Sequence, residues 1–117
     1  MRYFDYDEFD SPDKKDSGKL MDATLLSMLD EAREIANIPF TINSSYRTKK
    51  HNTKIKGVKN ASHLKGLAVD IMCYDSVARS KILSSLRKVG FNRIGIAKSF
   101  IHVDIDTSKV QNLTWIY

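Results

Sequence analysis

The chain has 117 residues, 42% of them hydrophobic and 28% charged, with a net charge of +5. That length suits a single domain spanning 1–117 with one modest core, and the composition is too apolar for wholesale disorder. A lone cysteine, Cys73, excludes an internal disulfide and a cysteine metal cluster, and no apolar run approaches the roughly 20 residues of a membrane span.

Residues 1–20 read as an irregular, acidic lead-in. Five acids fall between positions 5 and 13, and Pro12 and Gly18 act as breakers. The stretch lacks the apolar centre of a signal peptide, so delivery by some other route is expected for any substrate outside a membrane. Asp22 is placed to cap a helix running to about Ala36. Leu25, Leu26, Leu29, Ala32, Ile35 and Ala36 form its apolar stripe, and Asn37 and Pro39 end it. Phe40–Ile42 reads as a short strand.

Residues 47–65 hold seven Lys or Arg and no acid. Such a stretch favours a polyanionic partner, with an anionic wall polymer ahead of nucleic acid; the alternative is a solvated lysine-rich loop. A short helix fits Thr48–Ile55, followed by a loop at Gly57. Gly66–Met72 reads as a buried strand. Asp75 is placed to cap a second long helix with Val77, Ala78, Ile82, Leu83, Leu86 and Val89 on its apolar face and Gly90 at its end. Phe91–Ala97 and Phe100–Ile105 read as strands joined by a tight turn at Lys98-Ser99. Trp115 and Tyr117 are expected to cover an edge of the core, or alternatively to border a substrate groove. Taken in order, the elements predict an α+β fold with a small antiparallel sheet packed against helices.

Alternation singles out two segments. In Gly66–Met72 it sets Gly66, Ala68 and Asp70 on one face and Leu67, Val69 and Ile71 on the other. In Phe100–Ile105 it sends Ile101, Val103 and Ile105 to the core and His102, together with Asp104 and then Asp106, the other way. A histidine or an acid on a central strand is costly unless something pairs with it, and a hydrogen-bonded structural role is the ordinary outcome. If the two polar faces meet, His63, Asp70, His102 and Asp104 converge. Two imidazoles and a carboxylate would leave zinc one open position for water.

These residues also carry a family resemblance. The segment Ser62-His63-Leu64-Lys65-Gly66-Leu67-Ala68-Val69-Asp70 resembles the Ser-x-His-x-x-Gly-x-Ala-x-Asp signature of the zinc D-Ala-D-Ala carboxypeptidases, with Ser62 taken as its serine. Relatives include vancomycin-resistance dipeptidases and phage L-alanyl-D-glutamate endolysins, and the fold is shared with the hedgehog signalling domain. Ser44-Ser45-Tyr46-Arg47 is similar to the family's upstream Ser-Gly-Tyr-Arg element, His51-Asn52 to a pair seen in phage members, and Phe100-Ile101-His102-Val103-Asp104 to its late ligand strand.

The resemblance implies one zinc ion held by His63, Asp70 and His102. It implies that Arg47 binds the substrate carbonyl or carboxylate, and that Ser62 holds the substrate backbone or the ligand shell. It implies peptidoglycan stem peptides as substrate, a phage-encoded protein acting at the wall or in a virion, and a monomer. Many members carry an acidic base three residues before the third ligand, where this chain has Ser99. Asp104 is then the nearest acid, either as the proton acceptor or as a partner that orients His102. Without that base, the competing expectation is a weak or inactive metal-binding module that grips wall or nucleic acid. His51 is expected on a helix surface and Cys73 as a small buried residue.

Overall fold

The structure, a computed structural model, describes all of residues 1–117. Its helices begin where the sequence supplies caps. The Asp22 carboxylate accepts from the Leu25 N–H at 3.0 Å and opens α1, Ala23–Ala36. Asn37 closes that helix in the left-handed region, at φ 56°. Thr48 opens the short α2, Lys49–Lys54, and Asp75 opens α3, Ser76–Lys88, through the Ala78 N–H at 2.9 Å.

Helices α1 and α3 pack together and bury Leu25, Leu26, Leu29 and Ala32 with Ile82 and Leu86. Two expected stripe members are exposed instead, Ile35 at 44% and Val77 at 68%. At 100° per residue, Ile35 points roughly 100° from the centre of the α1 stripe and Val77 falls on the far side of α3. The lead-in is more ordered than its sequence suggests. It makes 3-10 turns at Tyr6–Phe9 and Ser17–Leu20 and buries Phe4 and Phe9 in the core cluster. Asp30 on α1 ties it down by accepting from the backbone N–H groups of Arg2 and Tyr3.

Five strands form one sheet: β1 (Ile42–Ser44), β2 (Ala68–Met72), β3 (Arg93–Ile96), β4 (Phe100–Asp104) and β5 (Leu113–Ile116), in the order β1-β2-β4-β3-β5. The α+β class holds, but the sheet is mixed. β1, β2, β4 and β3 pair antiparallel, whereas β5 crosses to the far side of β3 and pairs with it in parallel. The first strand starts two residues later than expected, and β2 begins at Ala68, after a 3-10 turn at Ser62–Lys65. Gly66 ends that turn at φ 70°, where an added Cβ would lie 2.5 Å from the Leu20 carbonyl oxygen. Its small size therefore serves the turn and a close backbone approach, rather than space beside Asp70.

Register puts the two faces of the sheet to different uses. Val69, Ile71, Ile94, Ile101 and Val103 join the helices in the core. On the opposite face one row crosses all five strands: Ser44, Asp70, His102, Gly95 and Trp115. A bulge in β1 sets its start. Ile42 lies opposite Ile71 but Ser44 lies opposite Asp70, so one extra residue brings Ser44 into the row.

Candidate metal centre

Asp70 and His102 face each other across β2 and β4, with the His102 Nδ1 2.8 Å from Asp70 Oδ1. His63 comes from outside the sheet. The 3-10 turn before β2 carries it over the row, and its Nε2 lies 3.4 Å from the same carboxylate oxygen. One donor atom from each of His63, Asp70 and His102 falls within 4.8 Å of the others, and all three residues are buried.

The far side of each imidazole is fixed. The carbonyl of Ser45 can only accept, so His63 Nδ1 carries the hydrogen at 2.8 Å and Nε2 is left as a lone pair facing Asp70. His102 Nε2 lies 2.7 Å from Asp104 Oδ2. Asp104 is itself held, its Oδ1 accepting from Arg93 Nε at 2.7 Å and from the Asp106 N–H at 3.1 Å. Arg93, buried on β3 opposite Asp104, also donates to the Val110 carbonyl. Both His102 nitrogens thus face carboxylate oxygens. Each pair of facing acceptors needs a proton or a cation between them. Asp104 accepts the proton on Nε2, and the Nδ1 side, where three donors meet, fits a metal ion.

Electrostatics agree with the geometry. Burial opposes ionisation of Asp70, but the His102 and His63 imidazoles, when protonated toward it, outweigh burial and hold the carboxyl well below the usual range. Burial likewise disfavours charge on His102, while Asp104 and Asp70 more than compensate and raise its pKa. The donor set, two imidazoles and one carboxylate with both second nitrogens anchored, suits zinc with an open position.

Arg47 stands beside this group, its guanidinium Nη2 3.6 Å from Asp70 Oδ2. Ser44 Oγ accepts from its Nε at 3.0 Å and Asn52 Oδ1 from its Nη1 at 3.3 Å, while its backbone N–H donates to the His63 carbonyl. A cleft of about 260 Å³ opens over the row, bordered by Arg47, Ser62, Lys109, Trp115 and Tyr117. Asp70 and Asp104 are the only carboxylates lining it. Ser99, in the exposed turn before β4, does not reach it.

The structure brings His63, Asp70, His102, Asp104 and Arg47 together and treats Ser62 differently. The Ser62 hydroxyl donates to Asp106 Oδ2 at 2.7 Å and accepts from Lys109 Nζ at 2.9 Å. Ser62 directly precedes His63, so Ala61 holds the position two residues before the histidine where the signature has its serine. Trp115 and Tyr117 line the cleft instead of capping the core. The Trp115 indole lies across Gly95, where a Cβ would meet Nε1 at 2.5 Å, and its ring centre is 5.5 Å from that of His102.

Arg93, the role of the Ser45 carbonyl and Lys109 escaped sequence reasoning, and Asn52 entered only within the His51-Asn52 pair, with no role assigned. Arg93 alone left a signal, a basic residue two before Gly95 on a strand that must pair with a strand bearing a buried acid. His51 lies on α2, outside the metal group. Cys73 is buried and free.

The sequence model of one protein family, described as Peptidase M15, matches residues 2–105. No curated protein matches the chain. The match ends just after β4, so Lys109, Trp115 and Tyr117 lie beyond it.

Proposed function

The chain belongs to the peptidase M15 family, and from that membership we propose that it is a zinc-dependent peptidase hydrolysing peptide bonds of bacterial peptidoglycan. The observation that carries the proposal is the buried His63, Asp70 and His102 group opening on a cleft. His63 through Nε2, Asp70 through its carboxylate and His102 through Nδ1 would hold one zinc ion. When bound, zinc supplies a Lewis acid that polarises a scissile carbonyl and lowers the pKa of water to about 7.

The chain's own residues supply the rest. Ser45 and Asp104 fix the tautomers of His63 and His102, so both ligand lone pairs point inward. Asp104 has both oxygens engaged, and we assign it the positioning of His102 rather than proton abstraction. Arg47 is pre-set by Ser44 and Asn52 to place a permanent positive charge at the cleft, where a carbonyl oxygen turns negative during hydrolysis. Ser62 braces the turn that presents His63.

Stem peptides of the wall are the substrate in this reading. The exposed Lys49, Lys50, Lys54, Lys56 and Lys59 would favour an anionic wall polymer nearby. No helix is long and apolar enough to cross a membrane. A phage origin, with delivery through a lysis hole or in a virion, and a monomeric state belong to the same proposal. Mass spectrometry of peptidoglycan digested with and without a chelator tests it. New free termini that appear only without chelator are expected, and identical digests would overturn it.

One observation favours a second reading. With Ser99 outside the cleft and Asp104 fully engaged, no free carboxylate stands ready as a separate base. A metal-binding wall module with little turnover would show about one zinc per chain and pelleting with cell walls, but no new termini.

A further inference from the structure

Behind the cleft wall formed by Ser62, one buried carboxylate is shared by two ammonium groups. Asp106, 1% exposed, lies 3.3 Å from Lys65 Nζ and 3.9 Å from Lys109 Nζ. Its oxygens also accept from the Ser62 and Ser108 hydroxyls and from the Ser108 N–H. Lys65 is the closer cation and does not line the cleft, donating to Ser108 Oγ at 3.1 Å. Lys109 borders the cleft and has one good hydrogen bond, to Ser62 Oγ at 2.9 Å.

Lys109 has no acid of its own on the cleft. Arg93 pairs with Asp104, and Arg47 and the histidines face Asp70. A single negative Asp106 meets both Lys65 and Lys109, which leaves one positive charge in surplus, and Lys109 is the member on the cleft. An ammonium has three donors, and here at least one remains for a ligand. Trp115 and Tyr117 line the same cleft and give it an apolar wall. All three residues come from the segment beyond the family match and line the same cleft as the metal group.

We infer that Lys109 is a specificity-determining residue that binds a free carboxylate on the peptide substrate beside the scissile bond. The inference rests on the peptidase reading, and its test separates the two. The probes are the pentapeptide L-Ala-γ-D-Glu-L-Lys-D-Ala-D-Ala and two derivatives, one with the glutamate α-carboxyl and one with the C-terminal carboxyl converted to a primary amide. Wild type is expected to prefer the free acid over one of the two amides by about tenfold in kcat/KM, the size of one charge-assisted hydrogen bond in a half-open site. Lys109→Met should bring those two peptides within about twofold of each other, whereas Lys109→Arg should keep most of the preference.

An undiminished preference in Lys109→Met, equal loss in both variants, or no preference in wild type would overturn the assignment. If wild type cleaves none of the peptides, the peptidase reading fails on its own. Lys109 is then judged by fluorescence titration, since Trp115 is the only tryptophan and lies on the cleft. Weaker binding of the free acid to Lys109→Met than to wild type supports the inference, and equal binding overturns it.

Discussion

The two faces of the sheet are built on opposite principles. On the helix side Val69, Ile71, Ile94, Ile101 and Val103 are held by non-directional burial among eighteen core residues, where any well-fitting apolar side chain would serve. On the cleft side nearly every polar atom of the central row has a named partner at hydrogen-bond distance, and no buried side-chain polar atom lacks one. The first face tolerates substitution at a cost in stability. The second allows almost none without a change in charge or tautomer. Stability and chemistry are thus divided between alternate residues of the same strands.

The strongest way to break this division is at the metal group. His63→Ala and Asp70→Ala should lose stoichiometric zinc, measured by elemental analysis. They should also lower peptide hydrolysis by about a thousandfold, as expected when several kcal/mol of transition-state stabilisation is removed. On the core face, Ile101→Ala should cost about 3 kcal/mol of unfolding free energy in urea. The folded variant should retain its zinc affinity, and loss of zinc in proportion to stability would show that the two faces are not separable.

Asp104→Asn is a subtler cut. An amide can donate to His102 Nε2 and so offers the wrong tautomer a partner. Zinc affinity should fall by about 10- to 100-fold by competition titration, and unchanged affinity would remove Asp104 from its positioning role. The smallest effect concerns acid. Burial disfavours the Asp106 carboxylate, but the Ser108, Ser62 and Lys65 contacts outweigh it and hold its pKa well below the ordinary 3.8. A depressed folded pKa stabilises the fold above the unfolded value and is lost as pH falls through the folded one. The stability gap between wild type and Asp106→Asn, from thermal melts, should therefore be constant above about pH 5 and shrink below about pH 4. A gap that widens in acid would contradict the assigned pairing.

Much of this organisation was readable before the fold was known, for identifiable reasons. Asp22 and Asp75 act through side-chain contacts three residues away, so local sequence sufficed. Asp70 and His102 obey strand alternation, which requires only a period of two. His63 does not, because it sits on a 3-10 turn and reaches the row through tertiary placement; only the family signature pointed to it. β5 was missed because Leu113, Thr114 and Ile116 are exposed and show no clean alternation of burial. Arg93 and Lys109 were missed because their roles depend on cross-strand register and on the path of the chain after β4, neither of which is a local property. The lead-in was misjudged because two aromatic side chains, Phe4 and Phe9, anchor it against α1 and its neighbours despite its acidic composition.

The bulge in β1 has a consequence for how such a site can change over generations. Ser44 reaches both the row and Arg47 only because one surplus residue separates it from Ile42 in the pairing. β1 lies at the margin of the sheet and pairs only with β2, so a change at Ser44 would disturb no strand beyond β2. A single-codon change of Ser44 to alanine would release Arg47 Nε from its brace while leaving His63, Asp70 and His102 in register. Arginine placement and metal retention can therefore drift independently, which gives a lineage a short genetic path between a hydrolytic protein and one that merely carries an ion.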